Sequence, residues 1–205
     1  MLMLLAASPT VVRAAGSVAS CPNEHCDIPE CTALAWIPPD ALIDTPKIAA
    51  RVSVAMCAAG KRMSALTLKD DAASRVALNK ATAPTFAVLD DLASTGTPDW
   101  QIIANALRGQ LYVAMTVRLR NSIPPINQAM GPQYAALMAR HDRVEQEAQP
   151  WLASADDSFR QARQVASVHP ELGNNPVVST AERNSAASLV AARAPAPARP
   201  SACCG

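Results

Sequence analysis

Six cysteines offer the most chemistry in this chain, and they fall into two groups. Cys21, Cys26 and Cys31 stand at five-residue intervals in the run CPNEHCDIPEC, Cys57 follows, and Cys203 and Cys204 are adjacent near the C-terminus. In an oxidising compartment Cys21, Cys26, Cys31 and Cys57 form two disulfides, with three connectivities open. From Pro46 to Leu66 the residues Ile48, Val52, Ala55, Met56, Ala59, Met63 and Leu66 share one stripe of helical period, and Cys57 points away from it. A thiol off the stripe is available to something laid over the helix, and the N-terminal Cys segment is the candidate. Such a bridge closes a loop of about 25 to 35 residues and contributes about 3 to 4 kcal/mol in the chain-entropy model.

Metal ligation is the competing chemistry. Cys21, His25, Cys26 and Cys31 supply thiolate and imidazole, although structural zinc sites usually pair cysteines two to four residues apart and return with a second pair. A second set lies further on, where Met138 and His141 sit one turn apart on an apolar helical face and could ligate copper or a haem iron in a bundle. The bland alternative for His141 is a hydrogen-bonded core histidine. Covalent haem attachment needs Cys-x-x-Cys-His, and the chain has none. No cofactor is therefore expected.

Acid–base and nucleophilic chemistry have few candidates. His25, His141 and His169 are the only imidazoles, and the carboxylates occur as adjacent pairs, Asp70 and Asp71, Asp90 and Asp91, Asp156 and Asp157. Neighbours on a helix diverge by about 100°, so these pairs do not converge on one site. There is no Gly-x-Gly-x-x-Gly, P-loop, His-Glu-x-x-His or Gly-x-Ser-x-Gly motif. The reading is of a protein without a catalytic constellation.

The elements that must position these residues are helices. Asp44-Thr45-Pro46 supplies a cap and a proline at the first helical position, opening a helix to about Leu66. Lys47, Arg51, Lys61, Arg62 and Lys69 lie along this stretch, which predicts a solvated face. A second helical segment starts near Asp70 or Asp71 and is interrupted at Pro84, which predicts two shorter helices. Thr97 and Pro98 start the next, over 98–122, where Ile102, Ile103, Ala106, Leu107, Leu111, Val113, Ala114 and Val117 cover more than half the wheel. Gln110 falls on that face and reads as a core amide. After Gly131-Pro132 the stripe Tyr134, Met138, His141, Ala148, Leu152, Ala155, Phe159, Ala162 and Ala166 runs with Leu137, Val144 and Trp151 alongside, and Pro150 predicts a kink or a new start. Ser179-Thr180-Ala181-Glu182 forms a capping box for a short helix to about Arg193, and APAPARPSACCG reads as a disordered tail.

The N-terminus carries an address. Residues 1–12, MLMLLAASPTVV, are apolar and uncharged, with the length of a signal-peptide core, and small residues follow through Ser20. No Lys or Arg precedes the run, and an upstream start would explain that. Val18-Ala19-Ser20-Cys21 resembles the lipobox of bacterial lipoproteins, which implies lipidation of Cys21 and a membrane anchor through that lipid. Lipidation of Cys21 and a two-disulfide framework exclude each other, because one of the three remaining thiols would be left over.

Composition sets the frame. About one residue in five of the 205 is Ala, 3% are aromatic and Gly is scarce at 7, which argues against a β-sandwich or barrel and for helices packed through small side chains. Lys and Arg total 18 against 17 Asp and Glu, so no electrostatic footprint for nucleic acid or an anionic membrane exists. The expectation is an all-α antiparallel bundle of four to five helices: a signal peptide over 1–20, a Cys/Pro-rich segment over 21–45, the bundle over 46–169, and a loop, short helix and disordered tail over 170–205. Its function is expected to be structural or protein-binding in an exported protein, whether periplasmic, outer-membrane-associated or secreted. Metal or haem binding, and anchoring through Cys21, are the alternatives.

Overall fold

The computed structural model describes residues 28–35, 37, 45–126 and 131–193. The expected signal peptide, Cys21, His25 and Cys26, and the tail with Cys203 and Cys204 lie outside the described residues.

Among the described residues the chain is all-helical, with α1 at Pro46–Ser64, α2 at Ala72–Thr95, α3 at Pro98–Arg120, α4 at Pro132–Val168 and α5 at Pro176–Arg193. Single 3-10 turns stand at Pro29–Thr32 and Pro170–Leu172. Three of these helices open as the sequence dictates: α1 and α3 place proline just inside the first turn, and the Asp71 carboxylate accepts the Ser74 amide proton at the start of α2. The Thr45 hydroxyl does not cap α1. It accepts instead from Trp100 Nε1 at 3.0 Å, tying the start of α1 to α3.

Cross-helix contacts give an up-down-up-down order. Arg51 meets Asp91 and Arg62 reaches the Ala81 carbonyl, so α1 and α2 run antiparallel. Arg108 with Asp90 and Thr82 with Met115 set α2 against α3 in the same sense. Arg108 with Gln161 and Arg120 with Glu145 do so for α3 and α4. Helix α3 is central, packing on α2, α4 and α5. Twelve of its residues are buried, as a helix that is apolar over most of its wheel requires. The wheel is not closed all round, however: Val117 is 39% exposed, and Val113 and Gln110 are half-buried, so Gln110 is no core amide.

Alanine does what the composition implied. Ala59, Ala104, Ala106, Ala148 and Ala155 are fully buried at helix contacts. Buried hydroxyls stand in for methyl groups, because each donates to a carbonyl of its own helix: Thr82 to Leu78, Thr116 to Tyr112, Ser158 to Ser154 and Ser185 to Ala181. Gly109 lies against Phe159, where any Cβ on position 109 would overlap the ring.

Three expectations are corrected. Pro84 does not divide α2 and Pro150 does not divide α4. Both prolines are exposed, so the carbonyls they leave unpaired face water, and packing of the opposite face carries the helix through. In α4 the buried seam is Leu137, Val144, Ala148, Trp151, Ala155, Ser158 and Ala162, with Phe159 beside it. Tyr134 is 48% exposed, and Met138, His141, Leu152 and Ala166 are half-buried, so of the expected stripe Ala148, Ala155, Phe159 and Ala162 are the members that reach the core. Helix α5 begins at Pro176, ahead of the expected capping box, and Ser179 donates back to the Asn175 and Pro176 carbonyls within its first turn. Val178 and Ala181 then pack with Ile102, Ala106 and Ala162, which makes α5 part of the bundle.

Candidate functional site

The most elaborate local construction is where residues 28–35 and 37, hereafter the strap, lie across α1 and reach α3. Pro29 fixes the backbone for a 3-10 turn, and successive amides bond three residues back: Cys31 to Ile28, Ala35 to Thr32 and Ile37 to Leu34, at 2.9 to 3.0 Å. The tight winding sends neighbouring side chains to different partners. Cys31 is bonded to Cys57 on α1 across a sequence separation of 26. Of the three connectivities open in the sequence, those that leave Cys31 unpaired with Cys57 are thereby removed. The position of Cys57, off the main apolar stripe of α1, is what puts it under the strap.

Glu30 turns inward and is 6% exposed. Both its oxygens accept from Arg118 Nη2 of α3, at 3.1 and 3.0 Å. The other arm of Arg118 donates to the Ser64 hydroxyl at 3.1 Å, and Ser64 donates in turn to the Gly60 carbonyl at 2.8 Å. Gly60 itself is obligatory. A Cβ there would stand 2.5 Å from Ile28 Cγ2 and 2.7 Å from Glu30 Oε2, so only a glycine lets the strap lie this close to α1. Beyond Glu30, Leu34 and Ile37 are buried in one cluster with Ala49, Val52, Met56, Trp100 and Ile103. Glu30, Arg118 and Gly60 were not singled out in the sequence. The pair spans 88 residues, and nothing local marks either member.

Arg118 also borders a shallow cavity of about 400 Å³ with Met63, Leu66, Leu68 and Ser122, where α1 and α3 end.

The remaining polar groups serve the seams between helices. Asp70 receives Arg143 at 2.7 Å and Arg140 at 3.2 Å, and the Arg143 hydrogen bond holds its carboxyl below the usual range, with Arg140 adding to the effect. Asp71 is lowered by the Ser74 amide. Asp90 pairs with Arg108, Asp91 with Arg51, and Asp156 and Asp157 with Arg160. Asp70 and Asp71, and Asp90 and Asp91, thus diverge as expected, whereas Asp156 and Asp157 both meet the guanidinium of Arg160 on their own helix. Two of the five cations on the first helical stretch are likewise engaged, Arg51 with Asp91 and Arg62 with the Ala81 carbonyl and the Thr85 hydroxyl. Trp151 Nε1 donates to Asn79 at 3.0 Å.

His141 Nε2 is 2.9 Å from the Pro124 carbonyl, so the imidazole ties α4 to the loop after α3. His169 Nδ1 is 2.8 Å from Glu171, whose carboxyl is lowered first by its own backbone amide and then by His169. Among the described residues no group of three or more His, Cys, Asp or Glu is gathered as a metal would need, and no helix is long and apolar enough to cross a membrane. Compared with models of known families, with curated proteins and with solved structures, the chain matches none.

Proposed function

We propose that this chain is an exported helical protein, periplasmic or at the cell surface, with a structural or protein-binding role. The observation that carries the reading is the Cys31–Cys57 bond. Disulfides form and persist in oxidising compartments and are rare where glutathione and thioredoxin keep thiols reduced. The apolar, uncharged residues 1–12 and the small residues that follow agree with export. A binding rather than catalytic role is favoured because Asp71 caps a helix, Asp70, Asp90, Asp91 and Glu145 pair with arginines of neighbouring helices, and His141 meets a backbone carbonyl.

The test is mass spectrometry of the protein as its native host makes it, with peptide mapping under non-reducing conditions. Export predicts a chain shortened near residue 20 and a linked peptide pair containing Cys31 and Cys57. A mature chain that begins at Met1 with six reduced thiols overturns the reading. With Cys31 and Cys57 paired, a diacylglycerol adduct on Cys21 would leave Cys26 as the unpaired N-terminal thiol and convert the reading to an anchored lipoprotein. The metal- or haem-binding alternative is less favoured at Met138 and His141, since among the described residues His141 Nε2 is engaged by a backbone carbonyl.

A further inference from the structure

The strap has the form of a bound peptide that happens to be joined to its receptor. Glu30, Leu34 and Ile37 follow at spacings of four and three, the register by which a helical segment anchors itself in a groove. One end is read by charge, where Arg118 takes the carboxylate through two contacts. The other is read by shape, where Leu34 and Ile37, 9% and 4% exposed, enter the cluster that holds Ala49, Val52 and Met56 of α1. At the charged end Gly60 leaves room on α1 for the side chains of Ile28 and Glu30. Two aliphatic side chains and one ion pair are a small grip for a segment of this length, since each ordered residue gives up backbone freedom. The covalent bond therefore carries much of the hold. Both Cys31 and Cys57 are only half-buried, within reach of a small thiol.

We propose that Cys31–Cys57 is a thiol-releasable latch, and that its opening uncovers on α1 and α3 an amphipathic groove that binds a peptide segment bearing an acidic residue with aliphatic residues four and seven positions later. The reductant is a dithiol. One of its thiolates attacks a sulfur of the pair, the S–S bond breaks as a mixed disulfide forms, and the other cysteine leaves as a thiolate. The second thiol of the reductant then displaces the remaining cysteine. In sum the protein disulfide gains two electrons and two protons to become two thiols, and the dithiol becomes a disulfide. The inference rests on the protein-binding part of the reading above and is independent of export.

The experiment uses the full chain with Cys21, Cys26, Cys203 and Cys204 replaced by serine, so that only the latch responds. Amide hydrogen exchange is compared before and after dithiothreitol. Expected is a loss of protection of tenfold or more at residues 30–37, with α3 still protected as part of a folded bundle. A synthetic peptide of residues 28–37 carrying Cys31→Ser is then titrated by fluorescence anisotropy. It should bind the reduced protein at least tenfold more tightly than the oxidised one, and lose about tenfold when it carries Glu30→Gln. The same peptide titrated into Cys57→Ser protein without reductant should match the reduced form. Unchanged strap protection on reduction overturns the latch. Equal peptide affinity for the oxidised and reduced forms, or indifference to Glu30→Gln, overturns the groove. Should Cys57→Ser fail to fold, the dithiothreitol arm decides alone. Neither result bears on where the native chain is processed, so failure here and failure of export are read separately.

Discussion

The seam between α3 and α4 and the seam between the strap and α1 are both narrow, yet they are held by different forces. Along α3 and α4, contact is spread over many small residues, with Ala106, Ala148, Ala155 and Ala162 letting the backbones close and Gly109 receiving the Phe159 ring. The Phe159 ring is the large side chain among these small ones, and the ion pair of Arg120 with Glu145 sits at the margin. The strap is too short to spread its contacts. It relies on one covalent bond, one ion pair with its carboxylate buried, and two aliphatic side chains. A long interface can be assembled from weak contributions because each added turn brings its own contacts, whereas a short segment must concentrate its hold in a few strong ones. An alanine-lined core sharpens the contrast, because at about 25 cal/mol per Å² small side chains return little for each residue ordered.

Substitutions should break the two seams in different ways. The largest effect is expected at Phe159→Ala, which empties the space against Gly109 in the long seam. A fully buried aromatic truncated to alanine costs about 3 to 5 kcal/mol, and chemical denaturation should show it as a global loss with a single transition. If the strap alone loosened and the midpoint stayed put, the picture of a distributed seam would be wrong.

Next in size is Cys31→Ser. Removing the 26-residue cross-link should cost about 3.5 kcal/mol in the chain-entropy model. Exchange should speed up most at the strap, while the amides of α3 and α4 that open only on global unfolding lose no more than that amount. Helical circular dichroism that collapses to the same extent as in Phe159→Ala would show that the strap is needed for the bundle and not merely held by it.

Glu30→Gln is smaller. It keeps the shape but removes the charge that answers Arg118, and a hydrogen bond to a charged group is worth about 1.5 to 3 kcal/mol. Exchange at the strap should rise under oxidising conditions, where the disulfide still holds, and rise further after reduction. Additive effects of Glu30→Gln and Cys31→Ser would refute the idea that charge and bond act on the same segment together.

The smallest effect is at Asp70, 17% exposed between Arg140 and Arg143. Its carboxyl is lowered in the folded state, so its contribution is fully present above the ordinary value near 3.8 and is lost as pH falls through the lower folded value. The Tm difference between the native chain and Asp70→Asn should be flat above about pH 5 and shrink below about pH 4. A difference that persists unchanged into acid would mean that the pair adds nothing through its charge.

Much of the fold was legible. Pro46, Asp71 and Pro98 announced three helix starts, and the alanine content announced close helix contacts. Cys57 was placed under the N-terminal segment from its angle on the α1 wheel alone. What failed has a common cause. Pro84 read as a break, and Pro150 as a kink or a new start, because the chain does not say which face of a helix will meet water. The first half of α4 has two apolar faces of nearly equal merit, Tyr134-Met138-His141 and Leu137-Val144-Trp151, and only the arrival of α2 and α3 chose the second.

The chain by itself determined the helical class, the places where helices start, and the candidates for covalent linkage, because caps, prolines and 3.6-residue periodicity act over a few residues. Only the tertiary structure decided that Cys31 is the partner of Cys57, that Glu30 is buried against Arg118 88 residues away, and that Gly60 is the floor on which the strap lies. Those are properties of surfaces that exist only once separate helices have met, and a charge or a glycine carries no local sign of what will be brought against it.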